Sequence, residues 1–238
     1  MGLLEEKSLW LKYKTEVWDE DTPETAAVHN IMRVLRSIRN SGDLIYVSVP
    51  ITSGKILYDT LLEHPNKTKK ELLNEVINAN YNIGWSLVEE IKKRENKLVL
   101  YPADLVPARQ KWKDKHFQAL WLSILGEKCT ELHMTDNWWF SNGAAEEFTH
   151  VFQLKLGLPK SRLAFYNTKE DFNSELERMR NIQVYDHTGK LISLNDGIIA
   201  IDKSLEWITN QGFETKRLKE CRELLEWTGD MIDKGFYQ

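Results

Sequence analysis

Two consecutive carboxylates, Glu146 and Glu147, end a run of small residues over 141–147. Small residues at a strand-to-helix turn let a ligand approach the backbone N–H groups at the positive end of the helix. The two side chains are about 100° apart around a helix, so they cannot face a ligand equally. A carboxylate in such a crevice can act as a nucleophile or stabilise an oxocarbenium-like transition state. The alternative is that both are first-turn acids that complement the helix dipole.

The elements that must position these carboxylates alternate between strand and helix. Strands are predicted over residues 44–50, 97–101 and 130–135, with a short fourth strand at 162–166. Helices are predicted over residues 23–39, 69–94, 109–125, 143–156 and 169–180. Because the connections are too long for hairpins, the pattern indicates an α/β fold with a parallel sheet, a Rossmann-like (flavodoxin-like) sandwich.

The chain has no internal repeat and no Gly/Ser linker, so one domain with terminal extensions is favoured over two domains. We predict a helical N-terminal extension over residues 1–43 and an α/β core over 44–180. A C-terminal extension over 181–238 is expected to form a hairpin at 182–193, followed by two helices packed on the core. Ligands of such a sheet bind beyond the carboxyl ends of the strands, where the carboxylates lie.

Two segments at that edge carry a family resemblance. Residues 46–54 read Tyr-Val-Ser-Val-Pro-Ile-Thr-Ser-Gly, and residues 138–147 read Trp-Trp-Phe-Ser-Asn-Gly-Ala-Ala-Glu-Glu. Together they resemble the nucleoside 2-deoxyribosyltransferase-like superfamily, which includes deoxyribosyltransferases and nucleoside 5′-monophosphate N-glycosidases. The resemblance covers roughly residues 44–166, with the strand signature and the loop signature in the family's order.

The resemblance implies a nucleophile at Glu147, four residues after Gly143 and six after Ser141. It implies that the Tyr46 hydroxyl orients this carboxylate, although a buried strand tyrosine is the structural alternative. The family's acid for the leaving base has no clean match here. Asp136 is the best local substitute, although Asp before Asn is more often a turn former.

The resemblance also implies a set of substrate-binding residues. The loop that wraps the sugar and the 5′-phosphate would comprise Pro50, Ile51, Thr52, Ser53 and Gly54. Ser141 stands where members acting on free nucleosides tend to have Asp, and it thereby favours a nucleoside 5′-monophosphate. Trp138 and Trp139 directly precede the nucleophile loop, where an indole could stack on a base.

The predicted function is therefore cleavage or exchange of the N-glycosidic bond of a nucleoside 5′-monophosphate or nucleoside, with hydrolysis slightly favoured over transfer. No cofactor is expected, and no metal, because the histidines show no paired-ligand spacing. By analogy with relatives, the protein is expected to be a homo-oligomer. Two alternatives stay open: a non-catalytic nucleotide-binding module, favoured by the missing acid, and an NAD-type glycohydrolase.

The overall composition excludes some classes of protein. The 238 residues carry a net charge of -4, which argues against broad contacts with polymeric nucleic acid. No apolar run is long enough to cross a membrane, and the two cysteines fit a reducing cytoplasm, so a cytoplasmic location is expected. Four of the nine tryptophans fall in the predicted extensions and are expected to anchor them: Trp10, Trp18, Trp207 and Trp227.

Overall fold

The centre of the molecule is a four-stranded parallel sheet. The computed structural model describes residues 8–37, 44–105, 112–157 and 169–235. Its strands are β1 (Leu44–Ser48), β2 (Leu98–Leu100), β3 (Cys129–Met134) and β4 (Gln183–Tyr185). Their order across the sheet is β2-β1-β3-β4, and every neighbouring pair is parallel. The predicted α/β fold of Rossmann-like type, with a parallel sheet flanked by helices, is confirmed.

Helices connect and cover these strands along the described part of the chain. They are α1 (Leu9–Tyr13), α2 (Pro23–Ser37), α3 (Lys55–Glu63), α4 (Lys69–Arg94), α5 (Asp114–Lys128), α6 (Asn142–Lys155), α7 (Lys169–Arg180), α8 (Leu194–Asn210) and α9 (Lys216–Asp233). A π-helical turn (Lys14–Trp18) follows α1, and 3-10 turns occupy Pro102–Leu105 and Trp138–Phe140. Helices therefore separate each strand from the next, as parallel pairing requires.

The two faces of β1 bury different side chains. Tyr46 and its register partner Leu132 lie on one face and belong to the main core, which α2, α5, α6, α8 and α9 also form. Ile45 and Val47 lie on the other face and pack against three residues of α4: Leu87, Val88 and Ile91. Every residue of β1 is buried because helices cover both faces of the strand.

The described fourth strand lies in the segment that the sequence predicted as a hairpin. The predicted strand at 162–166 lies outside the described residues. The described fourth strand, β4, was predicted as the first arm of a C-terminal hairpin, but it pairs in parallel with β3, and Val184 enters the main core opposite Leu132. The predicted hairpin is also present, as an antiparallel bridge from Tyr185 to Leu191 flanked by backbone hydrogen bonds from Asp186 to Lys190 and from Ile192 to Val184. The sheet therefore continues into the segment predicted as the C-terminal extension.

The terminal segments pack on the body of the fold through aromatic side chains. Trp207 of α8 meets the ring of Phe140 edge-on at 5.5 Å between centroids. The Nζ atom of Lys55 lies 4.3 Å from the centroid of the same indole. Among the described residues, no helix is both long and apolar enough to cross a lipid bilayer.

Candidate active site

The carboxyl ends of β1 and β3 form the switch point of the sheet. From β1 the chain crosses to β2 on one side and later returns to β3 on the other side. The loops that follow β1 and β3 therefore diverge at this edge, which is where ligands of open α/β sheets bind. Residues 49–54 and 135–141 form these two loops.

Hydrogen bonds fix the loop after β1. The hydroxyls of Ser53 and Ser141 are 2.9 Å apart and join the two loops. The Nδ2 atom of Asn80, a buried residue of α4, donates to the carbonyl oxygens of Ile51 at 3.3 Å and Ser53 at 3.2 Å. The sequence analysis missed Asn80, whose only signal is an amide on the inward side of a long helix.

The turn of this loop depends on Gly54. Its φ of +87° lies in the left-handed region that favours glycine, and it directly precedes α3. A Cβ atom at this position would lie 2.7 Å from Cβ of Pro50, which is itself buried. Thr52 is exposed at the outer side of the loop. The loop predicted to wrap a substrate is therefore tightly folded.

Glu147, the predicted nucleophile, lies in α6 with its carboxylate against β1. The hydroxyl of Tyr46 donates to Oε1 over 2.5 Å, and the hydroxyl of Ser48 donates to Oε2 over 2.5 Å. The side chains at 46 and 48 reach the same carboxylate because alternate residues of a strand share one face. Only 7% of Glu147 is exposed. The structure thus brings together Tyr46 and Glu147, as predicted, and adds Ser48, which the two-residue spacing could have indicated.

The environment of Glu147 shifts its acidity. The pKa of Glu147 is raised to about 7, chiefly by burial and to a smaller extent by the neighbouring carboxylate of Glu146. The hydroxyls of Ser48 and Tyr46 act in the opposite sense, since they donate to the ionised form. A carboxylate that is desolvated, oriented by two donors and ionised near neutral pH can serve as a nucleophile or exchange a proton.

Glu146 has a different environment. Only 1% of it is exposed, and its carboxylate binds the guanidinium of Arg217 at 2.7 and 3.2 Å and the hydroxyl of Tyr13 at 2.7 Å. Helix α6 begins at Asn142 and has no acidic residue in its first turn, so the first-turn interpretation of both carboxylates is wrong. Glu146 is a buried ion-pair partner, and Glu147 faces the sheet.

The start of α6 is held by Ser141 and Gly143. The Ser141 hydroxyl caps the helix by accepting from the backbone N–H of Ala144 at 3.4 Å. The Nε2 atom of Gln118 donates to the carbonyl oxygen of Gly143 at 3.2 Å. These contacts fix the first turn of the helix that carries Glu147.

The remaining predicted site residues lie in the loop after β3 but have other partners. Trp138 is 1% exposed and stacks on Phe148 at 4.5 Å between centroids, so both faces of its indole belong to the core. Trp139 is partly buried and meets Trp138 edge-on. Asp136 is exposed, and its carboxylate accepts from the backbone and the side chain of Asn137, as in a turn. No contact between described residues connects Asp136 to Glu147.

No group of three or more His, Cys, Asp or Glu residues in the described ranges is placed to hold a metal ion. Comparison of the chain with protein-family models, curated proteins and solved structures gave no match. The site is therefore interpreted from its own residues.

Proposed function

We propose that this protein cleaves or exchanges the N-glycosidic bond of a nucleoside 5′-monophosphate or nucleoside, with Glu147 as the nucleophile. The observation that carries the proposal is the buried Glu147 carboxylate held by the hydroxyls of Tyr46 and Ser48 at the switch point of a parallel sheet. Each oxygen has one donor, which leaves its remaining lone pairs available for a substrate.

The reaction proceeds in two displacements at C1′ of the sugar. The Glu147 carboxylate forms a bond to C1′ while the bond to the base breaks, and the base leaves with the electron pair and takes up a proton from Asp136 or from solvent. Water, or a second base, then attacks C1′ of the glycosyl ester, gives up its proton to the same acceptor or to solvent, and releases Glu147 as a carboxylate. Tyr46 and Ser48 keep the carboxylate oriented in both steps.

A nucleotide is the favoured substrate because neutral donors lie at the starts of two helices. Ser53 precedes α3, and Ser141 caps α6, with their hydroxyls 2.9 Å apart. Hydroxyls and the positive ends of helices suit a phosphate group, and neither serine repels its charge.

Hydrolysis is slightly favoured over transfer. Whether Asp136 protonates the leaving base stays a prediction, as do the homo-oligomer and the cytoplasmic location. If the leaving base obtains its proton from another source, the reaction does not require Asp136. The non-catalytic nucleotide-binding module and the NAD-type glycohydrolase are outcomes of the experiment that follows.

The experiment measures free base released from a panel of ribo- and deoxyribonucleoside monophosphates, nucleosides and NAD, by chromatography. Glu147→Gln should abolish release. The matched control is Glu131→Gln, which alters a buried carboxylate of β3 on the opposite face of the sheet, in register with Ile45. A peptide containing Glu147 should gain the mass of the sugar after acid quenching.

Three outcomes contradict the proposal. Release that persists in Glu147→Gln excludes Glu147 as the nucleophile. Release from NAD alone identifies an NAD-type glycohydrolase. Nucleotide binding without release from any substrate identifies a non-catalytic module.

A further inference from the structure

The neighbouring residues Glu146 and Glu147 lie on two different faces of α6, and each contacts a different part of the protein. Glu147 points toward β1, where it meets Tyr46 and Ser48. Glu146 points toward the terminal segments, because consecutive helical residues are about 100° apart. The two glutamates are consecutive residues of one rigid helix, so a movement of the backbone at Glu146 also displaces the Glu147 carboxylate.

The Glu146 side of α6 is held by both terminal segments of the chain. Arg217 of α9 forms a forked pair with the carboxylate, from Nε to Oε1 at 3.2 Å and from Nη2 to Oε2 at 2.7 Å. Tyr13 of α1 donates to Oε2 at 2.7 Å. The same face continues two turns later, where the backbone N–H of Leu9 donates to Oε1 of Gln153 at 3.0 Å. Residues 146 and 153 share a face because seven residues span two helical turns.

We propose that Arg217 and Tyr13 are positioning residues for Glu147: by anchoring Glu146 they hold α6 in the orientation that places the Glu147 carboxylate under the hydroxyls of Tyr46 and Ser48. This inference rests on the proposed function of Glu147. It assigns α1 and α9 a role in the site that acts through Glu146. Forked guanidinium–carboxylate pairs suit this role because their geometry is fixed at two points.

Arg217 also compensates the charge of Glu146 beside the site. An unpaired carboxylate one residue from Glu147 would oppose ionisation of Glu147, since like charges disfavour each other. The arginine balances it, and the charge of Glu146 raises the pKa of Arg217 despite burial, which acts to lower it. Loss of Arg217 therefore affects Glu147 through both orientation and charge.

The other titratable groups packed around the two carboxylates do not change their charge over the pH range of the titration. On the Glu147 side these are Tyr46 and Cys129, and burial raises the pKa of both above its usual range. On the Glu146 side, burial does the same for Tyr13 and Cys221. All four stay neutral between about pH 5 and pH 8, because even their ordinary pKa values are about 8.5 to 10. Lys12 lies 3.9 Å from Oε1 of Glu146 and 3.8 Å from Glu220.

The test measures the titration of Glu147 directly, by carbon NMR of protein labelled at the glutamate carboxyl carbons. The Glu147 signal is assigned by its absence in Glu147→Gln. Arg217→Met should raise the pKa of Glu147 by about one, so that its ionised fraction at pH 6 falls about tenfold. Arg217→Lys should restore most of this, because it keeps the charge. Glu146→Gln should lower the pKa of Glu147, because it removes the neighbouring charge.

The matched control is Arg222→Met. Arg222 lies on the same helix with similar exposure, but it pairs with Asp202 and Glu226 rather than with α6. It should leave the pKa of Glu147 unchanged. A purely structural role for Arg217 would lower the melting temperature without moving this pKa.

Equal pKa values of Glu147 in the wild type and Arg217→Met would overturn the proposal. If Arg217→Met does not fold, Tyr13→Phe takes its place: it removes the hydroxyl that donates to Glu146 and keeps the ring, so the pKa of Glu147 should rise, and an unchanged pKa would overturn the proposal. The result is independent of turnover. If the protein releases no base but the pKa of Glu147 shifts as expected, the proposed reaction is refuted and the positioning role of Arg217 stands. If the protein releases base but the pKa does not shift, the positioning role is refuted and the proposed reaction stands.

Discussion

Ser48 donates a hydrogen bond to Oε2 of Glu147 over 2.5 Å, from the last residue of β1 to the second turn of α6. The two residues are 99 positions apart in the chain, and the parallel pairing of β1 with β3 brings their elements together. The first strand of the sheet thus ends at a carboxylate of α6, the helix that follows the third strand.

Ser48→Ala should slow base release. It removes a donor to the ionised carboxylate, so the pKa of Glu147 should rise and kcat/KM near pH 6.5 should fall about tenfold. The measurement is the pH profile of kcat/KM. Ser86→Ala is the control, because that exposed hydroxyl bonds only to the carbonyl of Asn82 in its own helix. Equal profiles for Ser48→Ala and the wild type would show that this hydroxyl does not act on Glu147.

The pH dependence of wild-type turnover should identify the form of Glu147 that reacts. With burial raising its pKa to about 7, kcat/KM should rise as the pH increases through about 7 and then level off, because a nucleophile must be ionised. A free nucleoside is the better substrate for this measurement, since a phosphate ionises near pH 6. A rate that falls with increasing pH would instead indicate that Glu147 donates a proton.

Glu147→Gln should stabilise the protein, and more so at high pH. The pKa of Glu147 is raised in the folded state to about 7, so between pH 4.5 and about 7 the folded state binds more protons than the unfolded state. The contribution of Glu147 to the free energy of unfolding is therefore complete below pH 4.5 and decreases as the pH rises. Above pH 7 this contribution has fallen by about 3 kcal/mol. The Gln variant avoids this decrease because its side chain carries no charge to bury.

Urea unfolding at pH 5 and pH 8 checks this linkage. The gain in unfolding free energy from Glu147→Gln should be larger at pH 8 than at pH 5. Glu131→Gln should show no such gain at pH 8, because that carboxylate is paired with Lys97 and its pKa is lowered. A gain of equal size at both pH values would contradict the raised pKa.

The alternation of strands and helices could be predicted from the sequence because each element has its own local pattern of residues. Residues 44–48 form an apolar run, and such runs are typical of parallel strands with both faces covered. The parallel pairing of β4 could not be predicted in the same way. Residues 183–193 have the local pattern of a hairpin, which they form, whereas the additional parallel pairing depends on contact with β3.

The sequence also predicted part of the candidate site. The family resemblance, carried by the loop around Gly143 and the strand that contains Tyr46, implied a pair that the structure joins. It could not predict the partners of Glu146, because Tyr13 and Arg217 are 133 and 71 residues away and carry no motif. Which of two adjacent carboxylates faces the sheet is a property of helix packing.

Gly54→Ala should destabilise the protein and weaken substrate binding. Its φ of +87° is strained for alanine, and the new Cβ atom would lie 2.7 Å from Cβ of Pro50. Gly212→Ala is the matched control, since its φ is +77° and no atom lies within 4 Å of the added Cβ. Backbone strain alone should cost about 1 kcal/mol, and Gly54→Ala should cost at least about twice that. Equal losses in urea unfolding would show that the loop yields to the clash.

Trp138→Leu should reduce stability and leave substrate affinity unchanged. The indole is buried and stacks on Phe148 at 4.5 Å, so its removal leaves a cavity in the main core. A large-to-small change of this kind costs about 3 kcal/mol. Trp139→Leu should cost less, because Trp139 is only partly buried, and it is the better candidate for contact with a base. Urea unfolding and KM, measured on both variants, separate the roles. An increase in KM for Trp138→Leu without a loss of stability would mean that this indole reaches the substrate, contrary to its position in the core.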